Sequence, residues 1–292
     1  MIKVSFGRRI FDILNTLFLL ALCFLALYPI YFVLVASLSE SSQMLSHEGI
    51  LMRPLGFSLE AYKGVLKNPN IYTGYGNTLF IVVVGTALNL VVTSAAAYAL
   101  SRRSMGLRKP IMMGIVFTMM FSGGLIPLFL VVRDLNLYNT LWSLILPTLV
   151  NATNLTIMRT SFQEVPASLE ESAKIDGAND IQVFVRIFIP LSKAVIAVMC
   201  LYYGVAHWNS WFHSSIFLRK RELFPLQLIL REILIMNDTA AMDSSGSVGD
   251  AEMIGETIKY ATIIVSTLPV LMLYPFLQKY FVKGVMIGAI KG

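Results

Sequence analysis

Charged residues and cysteine are scarce in this sequence. Asp, Glu, Lys and Arg together make up 14% of the 292 residues, whereas apolar residues make up 56%. So low a share of charge excludes an ordinary soluble domain and predicts a polytopic membrane protein. The two cysteines, Cys23 and Cys200, show no spacing typical of a disulfide framework or a metal site, and we interpret them as small buried apolar residues.

Several motifs of energy conversion and catalysis are also missing. The sequence contains no G-x4-G-K-[S/T] stretch, so we expect no phosphate-binding loop on this chain. No Asp or Glu falls within the predicted membrane spans, since Asp12 and Asp134 lie at their ends. An ion-coupled carrier normally needs such groups or paired helix breaks. We find no enzyme-like constellation, and His207 and His213 lack partners for a metal site.

Six apolar runs are long enough to cross a ~30 Å hydrocarbon core, which takes about 20 helical residues. More Lys and Arg residues fall on the side of the two termini than on the other side, which predicts that both termini are cytoplasmic. The predicted spans are residues 13–36, 78–100, 111–132, 141–157, 191–206 and 258–277. They form one transmembrane domain (1–292), with a cytoplasmic N-terminus (1–12), loop (158–190) and tail (278–292), and external loops (37–77 and 207–257).

The stretch 169–190, LEESAKIDGANDIQVFVRIFIP, is the most polar long segment within the apolar chain. Its pattern predicts two short surface helices with a break between them. Pro166 suits the start of the first helix, Gly177 suits the left-handed position that ends it, and Asn179 or Asp180 suits the cap of the second. The predicted apolar faces are Val165, Leu169 and Ala173 on the first helix, and Ile181, Phe184, Ile187 and Phe188 on the second.

This stretch also carries a family resemblance, through Glu171, Ala173, Gly177, Ile187 and Pro190. At these spacings it resembles the EAA loop of permease subunits of bacterial ABC importers, with Ser172 replacing one alanine and Ile189 replacing a leucine. From spacing alone, an ordinary amphipathic interfacial helix is the alternative. The tail KGVMIGAIKG is similar to tails of maltose-type carbohydrate permeases. The segments AYALSR, SGGLIP and NLTIMRTSF look closest to the branch that imports complex oligosaccharides, including pectin- or alginate-derived ones.

The resemblance implies an all-α type I importer permease fold, with six transmembrane helices and a cytoplasmic coupling helix. It implies docking on a separate ATPase through the coupling-helix residues Glu170, Glu171, Ser172, Ala173, Asp176, Gly177, Ala178 and Pro190. The tail would reach the same interface through Lys283, Gly284, Gly288 and Lys291.

The same resemblance implies an assembly of several chains. The implied partners are a second permease subunit in a heterodimer, two ATP-binding subunits, an external solute-binding protein and the lipid bilayer, with no nucleic acid. ATP and magnesium would bind the ATPase rather than this chain. The location would be the bacterial cytoplasmic (inner) membrane, where the protein would be multi-pass.

Candidate substrate contacts lie in spans two, four and five. In span two, Asn89 and Thr93 share one helix face, and in span four Asn151 and Asn154 do the same. Each pair either packs against neighbouring helices or faces a translocation path. The group that ends span five is either an interfacial aromatic belt or a rim that stacks on sugar rings. In span three, Ser122, Gly123, Gly124 and Pro127 predict a bend or interruption. The candidate path residues are Asn89, Thr93, Asn151, Asn154, Trp208, Asn209 and Trp211.

Two other functions stay open from the sequence. One is an ion-coupled secondary carrier, which the lack of intramembrane charges disfavours. The other is an ABC importer permease for a non-sugar solute, which the tail and the span-three segment disfavour. We therefore predict a transport subunit for sugars, with oligosaccharides favoured, that is not itself an enzyme and is driven by ATP hydrolysis on a separate chain. The sequence leaves the identity of the sugar open.

Overall fold

The computed structural model describes residues 6–102, 104–121, 123–243 and 257–272, and these residues are mainly helical. Within these ranges, extended pairing is limited to an isolated antiparallel bridge between Ser39 and Phe57. The predicted all-α class is confirmed. The helices are α1 (Phe6–Ser37), α2 (Ser41–Leu45), α3 (Glu60–Lys67), α4 (Pro69–Ser101), α5 (Arg108–Met120), α6 (Leu125–Asp134), α7 (Trp142–Ile145), α8 (Ala152–Gln163), α9 (Ala167–Ile175), α10 (Asp180–Leu191), α11 (Lys193–Trp208), α12 (Trp211–Phe217), α13 (Leu226–Asp243) and α14 (Thr257–Met272). Short 3-10 turns occupy Leu146–Thr148 and Arg221–Leu223.

Among the described residues, two helices are long and apolar enough to cross a membrane by themselves, Gly7–Ser37 within α1 and Pro69–Ser101. Two bent helix pairs, α5 with α6 and α10 with α11, raise the number to four if each pair counts as one crossing. The helix α14 is apolar but shorter. A chain with several such helices is a polytopic membrane protein, as the composition predicts.

The break predicted in span three is present. Helix α5 ends at Met120 and α6 begins at Leu125, so the apolar run is not one continuous helix. Gly124 precedes α6 with φ of 88°, a conformation that side chains other than glycine rarely adopt. Pro127 falls in the first turn of α6, where its missing N–H leaves no helical hydrogen bond unmade.

Span four differs most from its prediction as a continuous helix, which was wrong. Helix α7 ends at Ile145, a 3-10 turn follows, and α8 begins only at Ala152. Pro147 lies within the 3-10 turn and has no N–H to continue a helix. Asn151 is extended and caps α8, because its side-chain oxygen accepts a hydrogen bond from the Asn154 N–H at 3.1 Å. The apolar run therefore contains a stretch of non-helical backbone.

The described residues divide into two compact units, one of residues 6–69 with 232–243 and 257–268, and the other of residues 70–102, 104–121, 123–231 and 269–272. In the first unit, Val35 and Ala36 at the end of α1 pack with Met44 and Leu51, and Tyr260 packs against them. Most apolar side chains of α1 are exposed, which suits a helix surrounded by lipid or by another membrane subunit.

The described residues of the second unit include two apolar clusters. One joins α4, α8, α10 and α11 through buried residues that include Ala97, Phe162 and Phe188. The other joins α4, α6, α7 and α12 around Ile81, Ile145 and Phe217. Helix α4 contributes to both clusters, so it is the central helix of this unit.

Two further expectations were wrong in part. Cys23 and Cys200 are both exposed rather than buried, because a small apolar side chain suits a lipid-facing helix surface as well as a protein core. The stretch 237–250 is rich in Ser, Gly, Asp and Ala, which predicts a flexible loop tip, but its first residues continue α13 to Asp243. Its remaining residues lie outside the described part of the chain.

Candidate functional site

The EAA segment (residues 166–191) consists of two helices joined by a tight turn. Gly177 has φ of 82° directly after α9, which is the left-handed conformation predicted for it. The Ala178 N–H donates to the Ala173 carbonyl at 2.9 Å and the Gly177 N–H donates to the Lys174 carbonyl at 3.1 Å, the two bonds of a Schellman ending. The chain then reverses into α10 without leaving these helix-end carbonyls unsatisfied.

The second helix of the segment starts with a capping box. The Asn179 side chain accepts from the Gln182 N–H at 2.8 Å, and the Gln182 side chain accepts from the Asn179 N–H at 2.9 Å. Of the two predicted caps, Asn179 is therefore the one in use. Helix α10 meets α11 at an angle of 84° beyond Pro190 and Leu191, so the segment lies across the start of span five.

The inner face of α10 packs into the apolar core of the second unit. Val183 and Phe188 are completely buried, and Phe184 and Ile187 are half-buried against the same cluster. A π-helical turn over Phe184–Phe188 widens the helix and brings these residues to one side. The prediction that Ile181 shares this face was wrong, since it is 74% exposed.

The outer face of the segment contains most of the residues predicted to dock on an ATPase. Ala173 and Ala178 are half-buried, so they support the turn rather than form its surface. Ile175 and Ile181 lie on either side of the turn and are 86% and 74% exposed. Two large apolar side chains in so exposed a position are typical of a surface that another protein covers. The exposed predicted residues are Glu171, Ser172, Asp176, Gly177 and Pro190.

Glu170 differs from the other predicted docking residues because its side chain faces the protein and is only 16% exposed. It forms an ion pair with Arg102 at 2.5 Å and another with Lys174 at 3.0 Å. Lys174 also reaches Asp180 at 3.3 Å, across the turn at Gly177. We call Arg102, Glu170, Lys174 and Asp180 the ionic cluster.

Arg102 lies at the end of α4 and was not among the residues singled out from the sequence. Its side chain donates to the Phe162 carbonyl at 3.1 Å, and its guanidinium carbon stands 4.1 Å from the centre of the Phe188 ring. Arg159 donates to the Leu100 carbonyl at 3.0 Å and so satisfies the end of the same helix. In the sequence, Arg102 is visible only as a basic residue directly after an apolar span. The positive-inside rule accounts for such a residue without any specific partner.

The charges of the ionic cluster affect one another's protonation. Burial opposes ionisation of Glu170, but hydrogen bonds from Lys174 and Arg102 outweigh it and hold the pKa of this carboxyl below its ordinary value of 4.5. The hydrogen bond to Glu170, with a second one to Asp180, raises the pKa of Lys174. Glu170 and Lys174 are therefore both charged at neutral pH.

A second polar group lies between α4, α8 and α11 and carries no charged pair. Asn89, completely buried, donates from its side-chain nitrogen to the carbonyls of Thr148 and Leu149, both at 2.8 Å. Its side-chain oxygen lies 2.7 Å from Nε2 of His207, so this nitrogen of the imidazole is the donor. These bonds satisfy carbonyls that the broken span four leaves free.

The same group extends towards the second candidate residue of span two. The Thr93 hydroxyl, also completely buried, is 2.8 Å from the Tyr203 hydroxyl, which accepts from the Asn151 N–H at 3.2 Å. The packing interpretation therefore describes Asn89 and Thr93 in this chain. We call Asn89, Thr93, Tyr203, His207 and the backbone 148–151 the amide cluster.

A π-helical turn over Ile81–Gly85 places a glycine against the amide cluster. A Cβ atom added at Gly85 would lie 2.6 Å from Nε2 of His207. The glycine is required here because the imidazole occupies the space of a side chain. His207 belongs to the group predicted to form either an interfacial aromatic belt or a sugar-facing rim, and no local pattern in the sequence indicates its contact with Asn89.

The residues that end span five separate in the structure. Trp208 is buried and its ring meets Tyr75 at a centroid distance of 6.4 Å, so it packs within the unit. Asn209 is exposed and donates to the Val205 carbonyl of its own helix at 3.0 Å. Trp211 is 36% exposed, and the guanidinium carbon of Arg231 stands 4.0 Å from its ring centre. Asn154, at 9% exposure, belongs to the apolar interior around α8.

One group of predicted residues adds nothing to this geometry. The tail residues Lys283, Gly284, Gly288 and Lys291 lie outside the described residues. Among the residues described, no group of three His, Cys, Asp or Glu side chains is arranged to hold a metal ion.

Comparison with known proteins identifies what this architecture is. The chain is 43% identical to YtcP of Bacillus subtilis (strain 168), described as a polygalacturonan/rhamnogalacturonan transport system permease, across 98% of this chain and 99% of the relative. It is 41% identical to LplC of the same organism, across 97% of this chain and 96% of the relative. The chain belongs to the permease subunits of sugar ABC importers. No family model matches it.

A solved structure agrees with this membership. It is a bacterial ABC transporter involved in the import of the acidic polysaccharide alginate, and one of its chains superposes with a TM-score of 0.87 at 34% identity. The superposition covers 96% of this permease and all of that chain. The permease is therefore a membrane component of an ABC transport system, which implies ATPase and binding-protein partners, and it is not an enzyme.

Proposed function

We propose that this permease pairs with a second permease subunit and moves acidic oligosaccharides from an external binding protein into the cytoplasm. Two separate ATPase subunits, which bind ATP and magnesium, would drive the movement. Both termini would be cytoplasmic, as the distribution of Lys and Arg predicts, with six spans crossing the inner membrane. The tail residues at positions 283, 284, 288 and 291 remain part of this proposal as a second ATPase contact.

The exposed face of the EAA segment carries the proposal. Ile175 and Ile181 stand exposed on a turn whose other side is fastened to the bundle. Burying each of them under a partner would contribute about 1.5–3 kcal/mol. Glu171, which lies on α9 with Ile175, offers a carboxylate to a basic residue of that partner. An ATPase groove that closes on this face would then move the segment as a body.

The acidic nature of the sugar is proposed from two lines of support. Two relatives carry the names of acidic polymers, polygalacturonan/rhamnogalacturonan and alginate. In this permease, Arg231 stacks on Trp211 at the end of span five and forms no ion pair among the described residues. A stacked guanidinium keeps the N–H groups at its edge available, and these suit a sugar carboxylate in a bidentate pair. Asn209 beside them is exposed to bind hydroxyl groups.

The experiment that tests the assembly is purification of the tagged permease from its native membrane in mild detergent, with mass spectrometry of the bound chains. We expect an ATPase and a second permease to copurify. Recovery of this chain alone, stable and monodisperse, would contradict the proposal and favour a carrier that works by itself.

The experiment that tests the docking face compares ATP-driven uptake in the variants Gly177→Pro and Glu171→Lys. We expect normal membrane insertion and a loss of uptake of about tenfold or more, in the range of typical coupling free energies. Glu48→Lys is the control, because it makes the same charge change on another exposed residue. Uptake as in the wild type by both EAA-segment variants would refute the docking role.

The substrate class has a separate test. Uptake of a short oligogalacturonide is compared with uptake of a neutral oligosaccharide of similar length, in the wild type and in Arg231→Gln. We expect a preference for the acidic sugar that the substitution reduces. Equal uptake of both sugars by the wild type would leave the importer in place and remove the acidic assignment.

A further inference from the structure

The ionic cluster has an inner pair and an outer pair. The side chains of Arg102 and Glu170 are 12% and 16% exposed, whereas those of Lys174 and Asp180 are 45% and 75% exposed. Exposed pairs contribute little, because water and salt screen them. A partly buried carboxylate that loses its partner is costly, because its charge remains without compensation. The pair between Arg102 and Glu170 is therefore the one on which the cluster depends.

Arg102 joins four helices through one side chain. It belongs to the end of α4, donates to the last turn of α8 at Phe162, pairs with α9 at Glu170, and stacks on α10 at Phe188. These bonds use the flat fork of a guanidinium, which donates along its edge while its face rests on a ring. A lysine could replace the charge but not both contacts.

Helix α9 has few other attachments to the bundle. None of its residues is fully buried, and its apolar contact with the core comes from the half-buried Ala173. Helix α10, in contrast, inserts Val183 and Phe188 into that core. The first half of the EAA segment therefore depends on Glu170 and Arg102 for a firm connection to the membrane-spanning helices.

We propose that Arg102 is a positioning residue for energy coupling. It holds α9 and the adjoining ends of α4 and α8 together as one body, so that a displacement of the EAA segment moves these helices as well. This inference rests on the proposed docking of an ATPase on that segment. The side chain of Arg102 is 12% exposed and donates to Ser101, Glu170 and the Phe162 carbonyl, so its proposed action runs through these helices.

The test uses the complete importer in proteoliposomes and measures sugar transported per ATP hydrolysed. For Arg102→Gln and Glu170→Gln we expect copurification of the ATPase as in the wild type, continued ATP hydrolysis, and a transport-to-ATP ratio lowered about tenfold. The transport-to-ATP ratio of Arg102→Lys should lie between the ratios of these two variants and that of the wild type. Arg186→Gln is the control, because it removes a basic residue of the same segment that is exposed and forms no ion pair among the described residues.

A covalent link between positions 102 and 170 tests whether the ion pair acts by transmitting movement between helices or only by stabilising the fold. In a Cys23→Ser and Cys200→Ser background, Arg102→Cys with Glu170→Cys should show the low ratio, and bridging the two new thiols with a short bifunctional reagent should raise it again. A wild-type ratio in Arg102→Gln, or a bridged double variant that stays uncoupled, would overturn the inference. If the wild-type importer showed no ATP-driven uptake, the proposed function itself would fail, which is a different result.

Discussion

The ionic cluster and the amide cluster fasten neighbouring helices of the same unit with different chemistry. The ionic cluster joins the EAA segment to the ends of α4 and α8 through full charges, with its outer members exposed. The amide cluster joins the interior of α4 to α8 and α11 through an amide, an imidazole and hydroxyl groups. Burying a charge deep among apolar helices would cost far more free energy than burying an amide. The deeper cluster therefore uses uncharged polar groups, and the cluster near the surface uses charges.

This difference predicts different consequences when each cluster is broken. The amide cluster satisfies the backbone carbonyls of Thr148 and Leu149 inside the protein, so its loss should mainly reduce stability. The ionic cluster attaches a surface segment to a bundle that packs well without it, so its loss should mainly reduce coupling.

The largest expected effect is that of Asn89→Leu. Leucine has a similar size but leaves the carbonyls of Thr148 and Leu149 without donors and His207 without its acceptor. We expect a loss of about 2 kcal/mol of stability, measured by denaturant titration in detergent micelles, since interhelical hydrogen bonds in membranes contribute about 0.6–2 kcal/mol each. Asn209→Leu is the matched control, because Asn209 bonds only within its own helix. Equal losses in both variants would contradict the role of the amide cluster.

A smaller effect is expected for Gly85→Ala. The new methyl group would meet the imidazole of His207 at 2.6 Å and push it away from Asn89. Overpacking of this kind costs about 1–3 kcal/mol, partly offset by the better helix propensity of alanine. Gly204→Ala gives the control, since its methyl group would meet only the Thr86 hydroxyl at 3.8 Å. We expect a lower melting temperature for the first variant and an unchanged or higher one for the second; the reverse order would show that His207 is not fixed.

The smallest effect concerns the ionic cluster and depends on pH. Because the folded pKa of Glu170 lies below 4.5, its pairs stabilise the protein fully above that pH, and their contribution is lost as the pH falls through the lowered pKa. The difference in melting temperature between the wild type and Glu170→Gln should therefore be constant from about pH 6 to 8 and shrink below about pH 4.5. A difference that grows on acidification would mean that Glu170 is not held in its charged form.

Local patterns in the sequence were sufficient for the turn and the helix cap of the EAA segment, although not for the direction of every side chain. A glycine after a polar helix and an Asx residue before the next apolar face specify the Schellman turn and the cap, and both are present at Gly177 and Asn179. The break in span three followed from its glycines in the same way. In span four the corresponding signals, Pro147 and Asn151, are also present in the sequence, but the apolar run around them has the composition of a continuous span.

Contacts between distant residues could not be predicted from the sequence. Arg102 and Glu170 are 68 positions apart, and Asn89 and His207 are 118 positions apart. Periodicity shows which face of a helix is polar, but not which helix meets that face. Glu170 illustrates the limit, since it neighbours the motif residue Glu171 and yet turns inward to Arg102.

The interrupted fourth span has a consequence for the order in which the protein is made. Two of its free carbonyls find a donor on Asn89, which precedes them in the chain, but the N–H of Asn151 depends on Tyr203, which the ribosome adds later. Until then this peptide group must keep water or another partner, so a nascent chain that ends before α11 cannot settle its fourth span in lipid. We expect that span to enter the bilayer together with the fifth, as a pair released late from the insertion machinery.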